Sequence, residues 1–151
     1  MKALVVFYSR NGNTKKVAGK ISRSLKADSE EIFDLKSRSG IWGWIFGGRD
    51  AYMKKSTEIK QEINPQKYDL VVIGTPIWAG TMTPAVRSYL KRHKLNKKVA
   101  FFCTAGDKQT SAFRQMEELS KKPITCLDLK QSKLNSKESD DKIKEFCEKL
   151  R

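Results

Sequence analysis

Three segments of this chain are apolar almost without interruption: Ala3-Leu4-Val5-Val6-Phe7-Tyr8, Leu70-Val71-Val72-Ile73-Gly74 and Val99-Ala100-Phe101-Phe102-Cys103. Runs of this length with little polar alternation predict strands buried on both faces, as in a parallel sheet. Two shorter segments, 30–35 and 124–129, carry more polar positions and predict further strands, the first near a sheet edge. Between the strands, apolar residues recur at helical spacing. Val17, Ala18, Ile21 and Leu25 form one stripe, and Ala85, Val86, Tyr89 and Leu90 a second. Phe113, Met116 and Leu119 form a third, and Ile143, Phe146, Cys147 and Leu150 a fourth. Pro84 suits a first helical turn, and Thr83 before it can serve as the cap. The resulting order is β-α-β-loop-β-α-β-α-β-α. Such alternation demands a parallel sheet with helices on both faces.

Two stretches stand outside the pattern. Residues 36–57 hold Gly40, Gly43, Gly47 and Gly48 among Ile41, Trp42, Trp44, Ile45, Phe46 and Tyr52. This mixture predicts a long loop with one or two helical turns, its apolar residues mostly covering a core edge. Long ordered loops in compact domains are often functional. Residues 130–141 are polar and predict a loose connection. With no internal repeat and no linker, the chain is expected to be a single domain over residues 1–151.

In alternating sheets of this kind, ligands bind outside the carboxyl ends of the strands. Three loops stand there. The first, Ser9-Arg10-Asn11-Gly12-Asn13-Thr14, joins a buried strand to a helix whose other face carries Lys15, Lys16, Lys20 and Arg23. Hydroxyls, amides and backbone N–H groups converge there at the positive end of a helix, which makes an anion site, most naturally for a phosphate. The loop lacks both GxxxxGK[ST] and GxGxxG, so a terminal phosphate fits it better than a pyrophosphate. Taken alone, it is equally a strand–helix turn capped by Asn13 or Thr14. The second loop, Thr75-Pro76-Ile77-Trp78-Ala79-Gly80, changes the balance. A Trp at a strand's carboxyl end beside a glycine is badly placed for the core and well placed to stack on a flat ring. The third loop is Thr104-Ala105-Gly106-Asp107. A ligand with a phosphate at one end and a flat heterocycle at the other would fill the edge that all three share.

These motifs, in this order and spacing, resemble the flavodoxin family over almost the whole chain. Ser9–Thr14 resembles its phosphate loop, 74–80 its first ring-binding loop, and Thr104–Asp107 the start of its second. The resemblance implies a flavodoxin-like, doubly wound, five-stranded α/β/α sheet of order 2-1-3-4-5 that holds FMN without a covalent bond. It assigns Ser9, Asn11, Gly12, Asn13 and Thr14 to the phosphate, with Arg10 acting mainly through its backbone N–H. It assigns Thr75, Pro76, Ile77, Trp78, Ala79 and Gly80 to the ring, and Thr104, Ala105, Gly106 and Asp107 to its pyrimidine edge, largely through backbone. It implies no catalytic residue, since the flavin carries the chemistry. Many flavodoxins stack a Tyr from the third loop on the outer ring face. Here no aromatic precedes Phe113, which leaves that face open or covered by Trp42, Trp44 or Tyr52.

Charge sets a second departure. Lys and Arg number 31 against 17 Asp and Glu, for a net charge of +14, whereas flavodoxins are typically acidic. Redox partners with acidic docking surfaces are therefore expected. Nucleic acid is disfavoured, because the basic residues are scattered and no RNA- or DNA-reading motif accompanies them. His93, the only histidine, reads as part of a solvated helix end. No apolar run approaches the ~20 residues needed to cross a bilayer. Three cysteines without CxxC spacing, Cys103, Cys126 and Cys147, fit reduced thiols in a cytoplasmic protein. The functional expectation is an electron carrier between redox partners, the alternative an NAD(P)H-dependent FMN reductase for quinones or other small acceptors.

Overall fold

A computed structural model describes residues 1–36, 40–106 and 111–151, with backbone only for 40–42 and for Trp44. The apolar runs form the expected centre. β1 (Ala3–Phe7), β5 (Leu70–Trp78) and β7 (Lys98–Ala105) lie side by side, flanked by β2 (Asp28–Glu31) and β8 (Cys126–Lys130). The order is β2-β1-β5-β7-β8, all parallel, which is 2-1-3-4-5 for the five core strands. β2 stops at Glu31 instead of continuing through 35. The Ile32 N–H still donates to the Phe7 carbonyl at 2.7 Å, but the chain then peels away. β3 (Phe33–Asp34) instead pairs antiparallel with β4 (Ile59–Lys60).

Both faces of the three central strands are buried. On one, Val71, Ile73, Val99 and Phe101 pack with Val86, Tyr89 and Leu90 of α3 (Pro84–Arg92) and Met116 of α4 (Ala112–Leu119). On the other, Val5, Val72 and Phe102 pack with Val17 and Ile21 of α1 (Asn13–Leu25) and Ile143 and Phe146 of α5 (Lys137–Glu148). Thr83 caps α3 as expected, its hydroxyl accepting from the Val86 N–H.

Two further expectations are corrected. Residues 36–57 contain a full helix, α2 (Gly40–Tyr52), where a loop with one or two turns was expected. Gly40, Gly43 and Gly47 fall on one side of it at helical spacing. Glycines there permit close packing, although by composition they resemble a loop. The second correction is at 130–141, which is ordered as a 3-10 turn over Gln131–Lys133 followed by the start of α5. There the Ser136 hydroxyl accepts from the Ser139 N–H and donates to the Lys133 carbonyl, which closes the turn.

Candidate functional site

The parallel arrangement brings the ends of β1, β5 and β7 to one edge, and with them the three loops. At the first, the chain turns from β1 into α1 through Gly12, which is left-handed at φ 85°. An added Cβ on Gly12 would meet nothing within 4 Å, so the space over the loop is open. The Ser9 hydroxyl sits at the helix start and accepts from the N–H groups of Gly12 (3.1 Å) and Lys15 (3.2 Å). Asn11 is exposed and Asn13 half-buried. No side chain caps α1 from the N-cap position, so its positive end faces the loop. Thr14 is buried, and its hydroxyl shares a 2.8 Å hydrogen bond with that of Thr104. This contact fastens the first loop to the third.

The second loop is a hairpin. β5 runs out to Trp78, turns through Ala79 and Gly80, and returns as β6 (Thr81–Met82), pairing Trp78 with Thr81. Both turn residues have positive φ, 48° and 75°. That is the requirement of a type I′ turn, whose twist matches paired strands. Ala79 accepts the conformation despite its Cβ and is exposed at the tip. Thr75 and Pro76 lie deeper, buried in the strand. The Thr75 hydroxyl donates to the Pro76 carbonyl and accepts from the Thr83 N–H, so it braces the base of the hairpin.

Trp78 is half-buried and supported on several sides. Its ring meets the Tyr8 ring edge-on at 5.6 Å between centroids. The Arg10 guanidinium lies over it at 5.8 Å, a role for that side chain beyond the backbone N–H foreseen from sequence. α2 leans on it through Gly47, where a Cβ would fall 2.8 Å from Trp78 Cζ3. Ile45, Gly48 and Arg49 of α2, with Ile77, Trp78 and Ala79, line a cleft of 380 Å³. The aromatics proposed to cover an outer ring face divide: Tyr52 is 75% exposed, and the side chains of Trp42 and Trp44 lie outside the described residues.

At the third loop, Thr104 and Ala105 are buried and Gly106 is exposed, while Asp107 lies outside the described residues. Past it, the Ser111 N–H and hydroxyl both donate to the Gly80 carbonyl, at 3.3 and 3.4 Å. Gln115, one turn on, donates to the Ser111 hydroxyl at 2.8 Å and accepts from the Thr81 hydroxyl at 2.7 Å. Its carbonyl oxygen also accepts from Arg87. Sequence alone does not bring Gly47, Arg87, Ser111 and Gln115 to the site. Arg87 left one signal, since it lies three residues before Leu90 on an otherwise apolar helix face.

Among the described residues, no cluster of His, Cys, Asp and Glu could hold a metal ion. His93 is partly buried at the end of α3, not solvated as expected. It packs on the Tyr89 ring at 4.7 Å between centroids, and a hydrogen bond of 2.9 Å joins it to the Gln61 amide. Burial and the neighbouring Arg92 charge hold its pKa below the usual histidine value. The edge offers groups for recognition: an open glycine loop at a helix start, an aromatic plate with a backbone turn beside it, and a third loop fastened to both. No described helix is long and apolar enough to cross a membrane.

Residues 4–145 match the family model of the flavodoxin domain. A search of curated proteins finds no match to this sequence. Among solved structures, a flavoprotein in complex with FMN from Lactobacillus acidophilus superposes with a TM-score of 0.71 at 24% identity, covering 89% of this chain and 96% of that one. Oxidised flavodoxin 2 from Bacillus cereus gives 0.64 at 19% identity, covering 99% and 97%. The two-electron reduced flavodoxin of Megasphaera elsdenii gives 0.57 at 15%, covering 97% and 98%. At these identities the likeness is one of fold.

Proposed function

This chain belongs to the flavodoxin domain family, and from that premise we propose that it binds FMN non-covalently and carries electrons between redox partners. The observation that supports this best is the meeting of the Gly12 loop, the Trp78-Ala79-Gly80 hairpin and the Thr104–Gly106 strand end at one sheet edge. The residues fit the group. Ser9, Asn11, Asn13 and the first N–H groups of α1 would hold the phosphate, with Gly12 keeping the space above them clear. Thr14 would act from below, through the hydroxyl it shares with Thr104. Trp78, held by Tyr8, Arg10 and Gly47, would present a rigid plate to the ring. Ala79 and Gly80 would offer it backbone groups, and Ala105, Gly106 and Asp107 would meet its pyrimidine edge. When bound, FMN supplies the one- or two-electron chemistry.

The chain's part is to bind, orient and expose. Ala79 sits at the tip of the hairpin in solvent, where a docking protein can approach closely. The net charge of +14 favours an acidic partner, which salt would loosen. A second reading, an FMN-dependent reductase of small acceptors, draws on the 380 Å³ cleft beside Trp78, whose lining joins apolar Ile45 and Ile77 to Arg49. Anaerobic mixing of the FMN-loaded protein with NAD(P)H separates the two. A carrier keeps its flavin absorption until a partner reductase is added. Fast bleaching by NAD(P)H alone would make it the reductase.

A further inference from the structure

Arg87 is 4% exposed, on the second turn of α3. Its Nη2 donates to the Gln115 carbonyl oxygen, while its Nε is buried without a hydrogen-bond partner. It forms no ion pair among the described residues. The carboxylate whose charge reaches it is Glu118, which faces Arg114 at 3.8 Å on the exposed side of α4. A guanidinium stays protonated in proteins, and burying one without a counter-charge is costly. This one sits behind the hairpin. Gln115, which receives it, also receives the Thr81 hydroxyl and holds Ser111, and Ser111 holds the Gly80 carbonyl. This charge, without an ion pair among the described residues, is therefore joined by hydrogen bonds to the loop assigned to the flavin ring.

We propose that Arg87 is a fixed positive charge that sets the redox poise of the ring site, favouring the reduced, anionic state of a flavin held at the hairpin. The inference rests on the FMN reading above. Reduction by two electrons and one proton adds one net negative charge to a flavin. A buried cation joined to the hairpin through Gln115 and Thr81 stabilises that product more than the neutral oxidised form. The exposed lysines create a field of the same sign, but salt screens it, whereas a buried charge is screened much less.

The experiment is a mediated redox titration of the FMN-loaded protein, reduced with dithionite, in low and in high salt. Relative to wild type, Arg87→Met is expected to lower the reduced-to-oxidised ratio at a given potential at least tenfold, ~30 mV for a two-electron couple. The loss should persist in high salt, and Arg87→Lys should restore most of the ratio. Gln115→Glu, which sets a carboxylate against the guanidinium, should reproduce the loss and decides the matter if Arg87→Met does not fold. An unchanged potential in either loaded variant overturns the proposal, as do equal shifts in Arg87→Met and Arg87→Lys, or a shift that vanishes in high salt. Wild-type protein that takes up no FMN would instead overturn the reading beneath it, and that is seen before any variant is made.

Discussion

Ala79 occupies a turn position that glycine or asparagine would fill more cheaply. At φ 48° its Cβ crowds the backbone, a cost of ~1–2 kcal/mol for an L residue. Glycine loses part of that gain to the entropy of its unfolded state. Ala79→Gly should therefore raise the urea midpoint by the equivalent of ~0.5–1 kcal/mol, and a lowered midpoint would mean the turn is not strained. Gly74 is the opposite case. A Cβ there would lie 2.0 Å from Phe102 Cζ, on a ring with no exposure. Gly74→Ala should cost ~3 kcal/mol by overpacking, read as a fall in the same midpoint. His93 gives a pH prediction. Its pKa in the folded chain lies below the unfolded value because burial and Arg92 disfavour the charged ring. The unfolded chain thus binds the proton first as pH falls, so stability should decline below about pH 6.5, the unperturbed value, until the folded ring titrates. His93→Gln should flatten that part of the stability–pH curve, and a slope unchanged in the variant would assign it to other groups.

Among the elements, β1, β5 and β7 were legible because strands buried on both faces need apolar side chains at every position. α1 and α3 were legible from their stripes, and the Thr83-Pro84 start of α3 from its cap. α2 was not. Its glycines read as a loop by composition, yet Gly40, Gly43 and Gly47 share one helix side, and Gly47 is where the helix meets Trp78. The site divides in the same way. That the three loops share one sheet edge was legible, because each stands at the end of an apolar run. The supports from Gly47, Arg87, Ser111 and Gln115 were not, because they come from elements brought together only by the fold. Gly47→Ala tests the support from α2. Alanine should favour the helix by up to ~1 kcal/mol, while its Cβ pushes on the Trp78 ring. The expected result is near-unchanged stability with FMN affinity reduced about tenfold. Equal affinity would mean that Trp78 does not depend on α2.

For the whole molecule, the contrast is between a flavodoxin fold and a net charge of +14. The fold determines where the three loops meet, while the surface charge governs which proteins can approach and how salt affects them. Within the proposed function, the surface should also make the last electron easier to add than in an acidic flavodoxin, and this advantage should shrink as salt rises. The buried Arg87 should contribute the part that salt leaves in place. All of these expectations depend on the sheet edge holding FMN, which a titration of free FMN with the purified chain measures most directly. Saturable quenching of flavin fluorescence that ends at one FMN per chain is the expected result. Fluorescence unchanged through excess protein would contradict it.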